Sequence, residues 1–143
     1  MEKSKVRLQA RSTGVVAVDM HRGHLDPLVA TLPLAAERCG PVIGRSAELF
    51  HELRAIGLRI IHVVTEYRKP EEIASNPFWK AIHDDPTRAR KGILRHNLAG
   101  SQGTEIIPEL YADGDLVGEA RSAIAPFMQP TSSFCSVVSG LTP

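Results

Sequence analysis

The first residue able to do chemistry closes the first apolar run of the chain. Asp19 directly follows "GVVAV" in the stretch "GVVAVDMH", Gly14 to His21. Open parallel sheets bind ligands at the carboxyl ends of their strands. A carboxylate in that place is suited to act as a base, and partial burial would make its pKa sensitive to its neighbours. The same aspartate could instead cap the next turn, and its position does not separate the two interpretations.

Three candidate metal ligands follow Asp19 closely in the stretch "HRGHLD". His21, His24 and Asp26 offer two imidazoles and a carboxylate, a set that can bind zinc. Both histidines, however, lie in a segment rich in Gly and Pro that has no second cluster of ligands. We therefore interpret them as polar loop residues near a pocket, and we expect neither a metal site nor a cofactor.

The remaining reactive or aromatic side chains have plainer interpretations. His62 lies within an apolar strand, which indicates a hydrogen-bonded core histidine. Cys39 precedes a predicted helix, where a thiol pKa can be lowered, although a buried and inert cysteine is the better interpretation. The pair formed by Phe78 and Trp79 is typical of a core, or of a lid over a pocket, rather than of a platform for stacking bases.

Composition limits the classes of protein that need to be considered. The 143 residues suit one domain, and 43% hydrophobic and 23% charged residues are typical of a globular protein. A net charge of +1 gives no reason to expect a nucleic acid or a membrane as partner. Cys39 and Cys135 do not suggest a disulfide framework, and no signal-peptide stretch is present. We expect a cytoplasmic protein that acts on a small molecule.

The elements that must position these residues alternate between strand and helix. The apolar runs predict parallel strands, with a helix that starts at Pro41 and stops at Gly57, and with a long loop from His21 to Gly40. The segment "EEIASNPFWKAIHDD" predicts a short helix broken near Pro77. Apolar residues at helical spacing predict the buried helix face: Val42, Leu49, Phe50, Leu53 and Ile56. The predicted neighbouring strands are Val15 to Val18, Ile60 to Val64 and Leu116 to Val117, in a parallel α/β sheet.

Three segments in order carry a resemblance to a known family. "VVAVDM…LDP", "LRIIHVVTEYR" and "GTEIIPELYADGDLV", spread from Gly14 to Val117, resemble the isochorismatase-like cysteine hydrolases. This superfamily includes nicotinamidases, N-carbamoylsarcosine amidohydrolases and isochorismatases. The resemblance implies a three-layer α/β/α sandwich with a mostly parallel sheet. It also implies hydrolysis of a small amide or related C–N bond, or of an enol ether, without an obligatory cofactor.

The resemblance carries over one member of a catalytic triad of Asp, Lys and Cys. Asp19 matches the aspartate that acts as general base toward the cysteine. The family's lysine opens a "K-x-R-Y-S-A-F" stretch just after the "GD-L-V" strand, and its cysteine follows in a "TN-x-C" turn. Here the residues after Val117 are "GEARSAIAPFMQP", which contain neither motif. Cys135, in "SSFCSVV", lies outside the family pattern, and we do not assign the nucleophile to it.

The end of the sequence fits a shifted reading frame. One permitted choice of codons for Ala120 to Pro143, read one frame over, gives "KERYSAFYATDLELLLRSLGANTL", which contains the lysine motif in family order. We therefore expect residues 1–117 to be the N-terminal part of a single hydrolase domain, truncated at its C-terminus by a frameshift near residue 118. Residues 118–143 would then be an out-of-frame tail, unless they are a divergent C-terminus.

Such a chain would be catalytically incomplete. The alternative to an enzyme is a non-catalytic remnant that binds small ligands or pairs with an intact subunit. A domain cut after its third strand leaves apolar faces and strand edges uncovered. We therefore also expect poor solubility or a homo-oligomer.

Overall fold

Strands and helices alternate along the chain. The computed structural model describes residues 9–31, 34–85, 87 and 92–120, with only the backbone at 11, 119 and 120. The strands are β1 (Gly14–Val18), β2 (Arg59–Thr65) and β3 (Leu116–Ala120). The α-helices are α1 (Arg22–Leu25), α2 (Ala36–Ala55), α3 (Pro70–Ala74) and α4 (Pro77–Asp84). Single 3-10 turns lie at Ala10–Ser12, Ile93–Arg95, Gln102–Thr104 and Pro108–Leu110. Cys135 and the rest of the predicted tail beyond 120 lie outside the described residues.

The three strands form one parallel sheet in the order β1-β2-β3. In its register Val16 pairs with Ile61, and Val63 pairs with Gly118. The central strand is buried along its whole length after Arg59, as expected of an apolar run covered on both faces. The α/β class, the parallel sheet and the three neighbouring strands predicted from the sequence are confirmed.

Helix α2 begins five residues before the predicted start at Pro41. Ala36 and Glu37 favour helix, and the carboxylate of Glu37 lies in the first turn, where the helix dipole stabilises it. These residues extend the helix despite Pro41, which supplies no N–H to the second turn. Among the described helices, α2 included, none has both the length and the apolar character that crossing a bilayer requires.

The buried face of α2 is narrower than predicted. Phe50 is buried, and Val42 and Leu53 pack against the same core. Leu49 is exposed, since it lies about 100° from Phe50 around the helix axis. Ile56 is also exposed, because the helix ends at the residue before it.

The predicted loop between His21 and Gly40 is partly helical. It contains α1 and the first turn of α2. The sequence did not reveal α1, because four residues are too few to show a helical period. A hydrogen bond connects α1 to a segment later in the chain, since the Arg22 N–H donates to the Glu105 carbonyl at 2.8 Å.

Two apolar clusters support the sheet and its flanking helices. The larger one contains Ala17, Leu25, Phe50, Ile60, Ile107 and Leu110. The smaller one joins Ile82 and Ile93 with Trp79 and Leu94. Trp79 is thus a packing residue as predicted, whereas Phe78 is largely exposed. The predicted break at Pro77 is confirmed, and Asn76 caps α4 by accepting the Phe78 N–H at 2.9 Å.

A buried carboxylate connects α2 to the sheet at the amino end of β3. Asp115 accepts hydrogen bonds from Arg54 Nε at 3.0 Å and from Arg54 Nη2 at 2.5 Å. It also accepts the Ala112 N–H at 3.0 Å, and its Oδ2 lies 3.2 Å from His62 Nε2. Burial raises the pKa of Asp115, but these bonds outweigh burial and lower it overall. His62 is therefore the hydrogen-bonded core histidine that the sequence predicted.

Candidate active site

Asp19 lies one residue beyond the carboxyl end of β1. Its N–H donates to the Val63 carbonyl at 2.9 Å, which adds one bond to the β1–β2 ladder. Its φ of +58° is in the left-handed region, which aspartate adopts more readily than most residues other than glycine. Strained conformations of this kind are found where the surroundings impose them, and they cluster at functional sites. The turn places the carboxylate at the edge where parallel sheets bind ligands.

Thr65 fixes the Asp19 carboxylate from the neighbouring strand. Its Oγ1 donates to Asp19 Oδ1 at 2.7 Å, and Thr65 is buried. Thr65 is the last residue of β2. The carboxyl ends of adjacent parallel strands meet at one edge, so the two polar residues come together across 46 positions of sequence.

Two histidines face the same carboxylate. His21 is fully buried, and its Nε2 lies 3.4 Å from Asp19 Oδ1. His24, on α1, places its Nε2 4.0 Å from Asp19 Oδ2. The two imidazole rings are also in contact, with centroids 4.7 Å apart. The structure thus groups His21 and His24 with Asp19 rather than with Asp26.

Gly23 allows a second loop to close over the histidines. A Cβ at Gly23 would lie 1.8 Å from Asn97 Oδ1 and 2.8 Å from the Gly103 carbonyl, so only glycine fits. That carbonyl oxygen lies 2.7 Å from His21 Nδ1. Because a carbonyl can only accept, Nδ1 carries the hydrogen and donates it. The loop therefore sets the orientation of the His21 ring.

His96 extends the polar cluster away from Asp19. Its Nδ1 lies 2.7 Å from Thr31 Oγ1, and its ring lies edge-on to His24 with centroids 5.1 Å apart. Tyr67 and Trp79 border its ring at 6.3 and 6.2 Å. Burial, helped by the positive charges of His24 and His21, lowers the pKa of His96 to about 4. His96 is thus a neutral, hydrogen-bonded group near pH 7.

Asp19 is ionised at neutral pH. Burial is the largest influence on its pKa and raises it. Hydrogen bonds with His21 and Thr65 and the charges of His24 and His21 act in the opposite direction and outweigh burial, so the pKa of Asp19 is lowered. The carboxylate form is the one required of a general base.

Two cavities border α1 and the residues that follow it. One, of about 510 Å³, lies between Arg22 and Leu25 of α1, Cys39 and Ile43 of α2, and Pro108. The other, of about 340 Å³, lies between residues 28–31 and a wall that includes Asn97 and Gly103. Neither of these two cavities is lined by Asp19. The carboxylate instead opens to solvent at the sheet edge, with 27% of its side chain exposed.

Comparison with known proteins gives a likeness in fold. No family model and no curated protein matches the sequence. A cysteine hydrolase from Pseudomonas syringae pv. phaseolicola superposes with a TM-score of 0.63 at 14% sequence identity. The fold is shared with a cysteine hydrolase. The superposition covers 99% of this chain and 61% of that one, so the chain spans less than two thirds of the hydrolase's length. The shared fold agrees with the fold that the motif resemblance implies.

The other predicted site residues lie away from Asp19. Asp26 is bound by Arg22, whose Nε donates to its Oδ2 at 2.9 Å, and it also accepts the Leu28 N–H. Cys39 is buried inside α2, not ahead of the helix as predicted, because α2 begins earlier. Its thiol is directed at the Leu34 carbonyl, 3.6 Å away. Cys135 lies outside the described residues.

Sequence reasoning missed four residues of the cluster: Thr65, His96, Asn97 and Gly103. Thr65 did carry a signal, because it is a polar residue that closes an apolar parallel strand, as Asp19 does. The other three lie in irregular segments with no period to read. These residues come close to His21 only in the folded chain, since Gly103 is 82 positions away from it in the sequence. No local sequence pattern predicts such a contact.

Proposed function

We propose that this chain is built on the scaffold of a cysteine hydrolase that acts on a small amide or related C–N bond, with Asp19 as its general base. One observation carries the proposal. The ionised carboxylate of Asp19 lies at the carboxyl edge of a parallel sheet, where it accepts a hydrogen bond from Thr65. The backbone of Asp19 is in a strained left-handed conformation. The fold around it is shared with a cysteine hydrolase, and the motif resemblance assigns the base to this aspartate.

The chemistry requires three groups, a base, a thiol and a cation, and the described residues offer the base. Asp19 would take the proton of a thiol, the thiolate would attack the carbonyl carbon, and a cation would stabilise the charge. Among the described residues the free cysteine is Cys39, whose thiol is directed at carbonyls of its own helix region. The sequence after Val117 contains neither the lysine motif nor the cysteine turn. We therefore propose that the chain as written does not turn over amides.

Restoring the reading frame tests both parts of this proposal. The chain as written is compared with a frame-restored version, in which one base is inserted or deleted near codons 118 to 120 and the new frame is translated through the gene to its next stop codon. Both are assayed on a panel of small amides and related C–N substrates. The restored version is expected to show turnover that iodoacetamide abolishes, and the unrepaired chain is expected to show none.

Cys135→Ala serves as the control in the unrepaired chain. Thiol-dependent turnover by that chain, lost in C135A, would overturn the proposal that it is incomplete. A folded frame-restored chain without activity on any member of the panel would overturn the hydrolase scaffold itself. Sequencing the gene beyond codon 117 provides an independent check, because an absent "KxRYSAF…TNxC" frame rules out the frameshift.

An apolar strand face favours a second candidate, a non-catalytic module that pairs with another copy of the chain. Val16 and Val18 of β1 are 43% and 38% exposed. They pair in register with Ile61 and Val63, which are buried, so the exposed face belongs to the edge strand of the described sheet. Light scattering after size exclusion is expected to give a dimer that Val16→Lys weakens. A monodisperse monomer would contradict this candidate.

A further inference from the structure

We propose that Asp19, His21 and His24 form a binding site for a divalent transition-metal ion of the zinc type. The proposal goes beyond the hydrolase scaffold and does not rest on it, because it requires no cysteine. The three side chains each direct one possible ligand atom into the same space, and these atoms all lie within 4.8 Å of one another.

The spacing of the ligand atoms is close to that of a zinc site. Tetrahedral zinc with bonds of 2.0–2.1 Å separates its ligand atoms by roughly 3.3 Å. His21 Nε2 already lies 3.4 Å from Asp19 Oδ1, and His24 Nε2 lies 4.0 Å from Asp19 Oδ2. The two distances go to different oxygens of Asp19, and no two of the three ligand atoms are more than 4.8 Å apart. Side-chain adjustments of roughly 1.5 Å would bring all three atoms to the tetrahedral spacing.

His21 is oriented as metal-bound histidines are. Its Nδ1–H donates to the Gly103 carbonyl at 2.7 Å, the outer bond that commonly fixes the tautomer of a metal ligand. With Nδ1 donating to the Gly103 carbonyl, Nε2 is the ring nitrogen that faces Asp19, and it is the atom that a metal ion would bind. The amide of Asn97 reaches the same nitrogen only at 3.5 Å, the outer limit of a hydrogen bond.

Asp19 is supported in the same way. Thr65 donates to its Oδ1 at 2.7 Å, which is an outer-shell bond to a ligating carboxylate. Two imidazoles and one carboxylate favour zinc and its neighbours over calcium or magnesium, which prefer oxygen ligands. Asp19 and His24 are each 27% exposed, so a fourth position can open to solvent, as it does in three-ligand zinc sites.

The structure also excludes the trio that the sequence suggested. Asp26 is paired with Arg22, and its other oxygen accepts the Leu28 N–H. The ligand pattern is therefore Asp-x-His-x-x-His from Asp19 to His24, with Asp26 available as a matched control. One consequence is competition, because a carboxylate that binds a metal cannot at the same time accept the proton of a thiol.

Calorimetry on the full chain as written, freed of metal with a chelator, tests the site. Zinc chloride is expected to bind at one ion per chain. His24→Gln is expected to weaken binding by at least about 100-fold, since loss of an outer-shell partner alone costs 10–100-fold. Asp26→Asn and His83→Gln, an exposed histidine of α4, are expected to bind like the unmodified chain. Circular dichroism confirms that each variant is folded.

A second measurement needs no variant. Cobalt chloride added to the metal-free chain is expected to give the intense visible bands of tetrahedral Co²⁺, and zinc is expected to remove them. Two results would overturn the proposal. One is the absence of both saturable zinc binding and tetrahedral cobalt bands. The other is zinc affinity unchanged in folded His24→Gln, which would assign the binding to other groups. Neither result depends on amide turnover, so this proposal and the proposed function fail separately.

Discussion

Two aspartates at opposite edges of one sheet have contrasting environments. Asp115 precedes β3 at the amino edge, with a side chain only 4% exposed, and it is bound by Arg54, Ala112 and His62. Asp19 follows β1 at the carboxyl edge, 27% exposed, and within the described residues its short hydrogen bond is the one from Thr65. The Asp115 carboxylate is held in an ion pair with Arg54, which is typical of a structural role. The Asp19 carboxylate has one oxygen directed at His24.

The backbone sharpens this contrast. Asp19 is held at φ +58°, whereas Asp115 is not among the described residues with positive φ. Left-handed backbone at a residue other than glycine costs about 1 kcal/mol or more. A strained carboxylate with few short hydrogen bonds contributes little to folding, which agrees with the role of base that we propose for Asp19. The Asp115 cluster stabilises the fold, whereas the Asp19 cluster is the one to which we assign the proposed chemistry.

The largest effect is expected in catalysis by the frame-restored chain. Asp19→Asn removes the proposed base and is expected to lower kcat about 10⁴-fold, as loss of one member of a catalytic triad does. Asp115→Asn, assayed at a temperature where the chain remains folded, is expected to leave kcat nearly unchanged. Equal losses of kcat in the two folded variants would contradict the division of roles.

The next effect distinguishes His96 from His62 by their response to acid. The folded-state pKa of His96, about 4, lies below its ordinary value of 6.5. Between pH 6.5 and pH 4, His96 is therefore protonated in the unfolded chain but neutral in the folded one. The free energy of unfolding falls as the pH drops through this range. The loss is about 3 kcal/mol. For His62, burial lowers the pKa but Asp115 counteracts it, so a smaller contribution is expected.

Urea unfolding at pH 7 and at pH 4.5 measures this difference. His96→Gln is expected to lose part of the pH dependence, because Gln does not titrate. His83→Gln removes an exposed histidine instead and is expected to keep it. An unchanged pH dependence in His96→Gln would show that other groups account for the acid sensitivity.

A third prediction concerns stability at neutral pH. Asp115→Asn leaves Arg54 without its counter-ion and is expected to cost about 2–3 kcal/mol, reduced from the value for a fully buried pair because Arg54 is a quarter exposed. Asp19→Asn keeps the acceptor for Thr65 and tolerates the left-handed backbone, so it is expected to cost less than about 1 kcal/mol. Urea unfolding of both variants decides the order, and the reverse order would contradict the comparison.

The smallest effect is expected at Thr65. Thr65→Val removes the hydrogen bond that lowers the pKa of Asp19, so that pKa should rise, at a cost of about 1 kcal/mol in stability. Thr104→Val is the matched control, because it loses a comparable bond to the Ser101 carbonyl away from the carboxylate. Carboxyl NMR titration of Asp19 checks the prediction, and equal pKa values in both variants would show that Thr65 does not tune the base.

The strands could be predicted, and the closure of the loops could not. β1 and β2 are continuous apolar runs, which is the pattern that burial on both faces requires. Asp19 could be placed because it ends such a run. The helix start at Ala36 was missed because proline is a strong but not absolute breaker. His96 and Asn97 reach the site through contacts that depend on the whole fold, and no local pattern predicts those contacts.

Pro41 separates the first turn of α2 from the rest of the helix, and the two parts can unfold independently. The carbonyl of Glu37 has no N–H at position 41 to accept, so the first turn is held by fewer backbone bonds than the rest. Segments of this kind open by local fluctuation at a lower free energy than global unfolding. Cys39 lies in this turn, buried and next to the larger cavity. Its rate of alkylation would therefore report fraying of one helix end while the amide hydrogens of β2 remain protected from exchange.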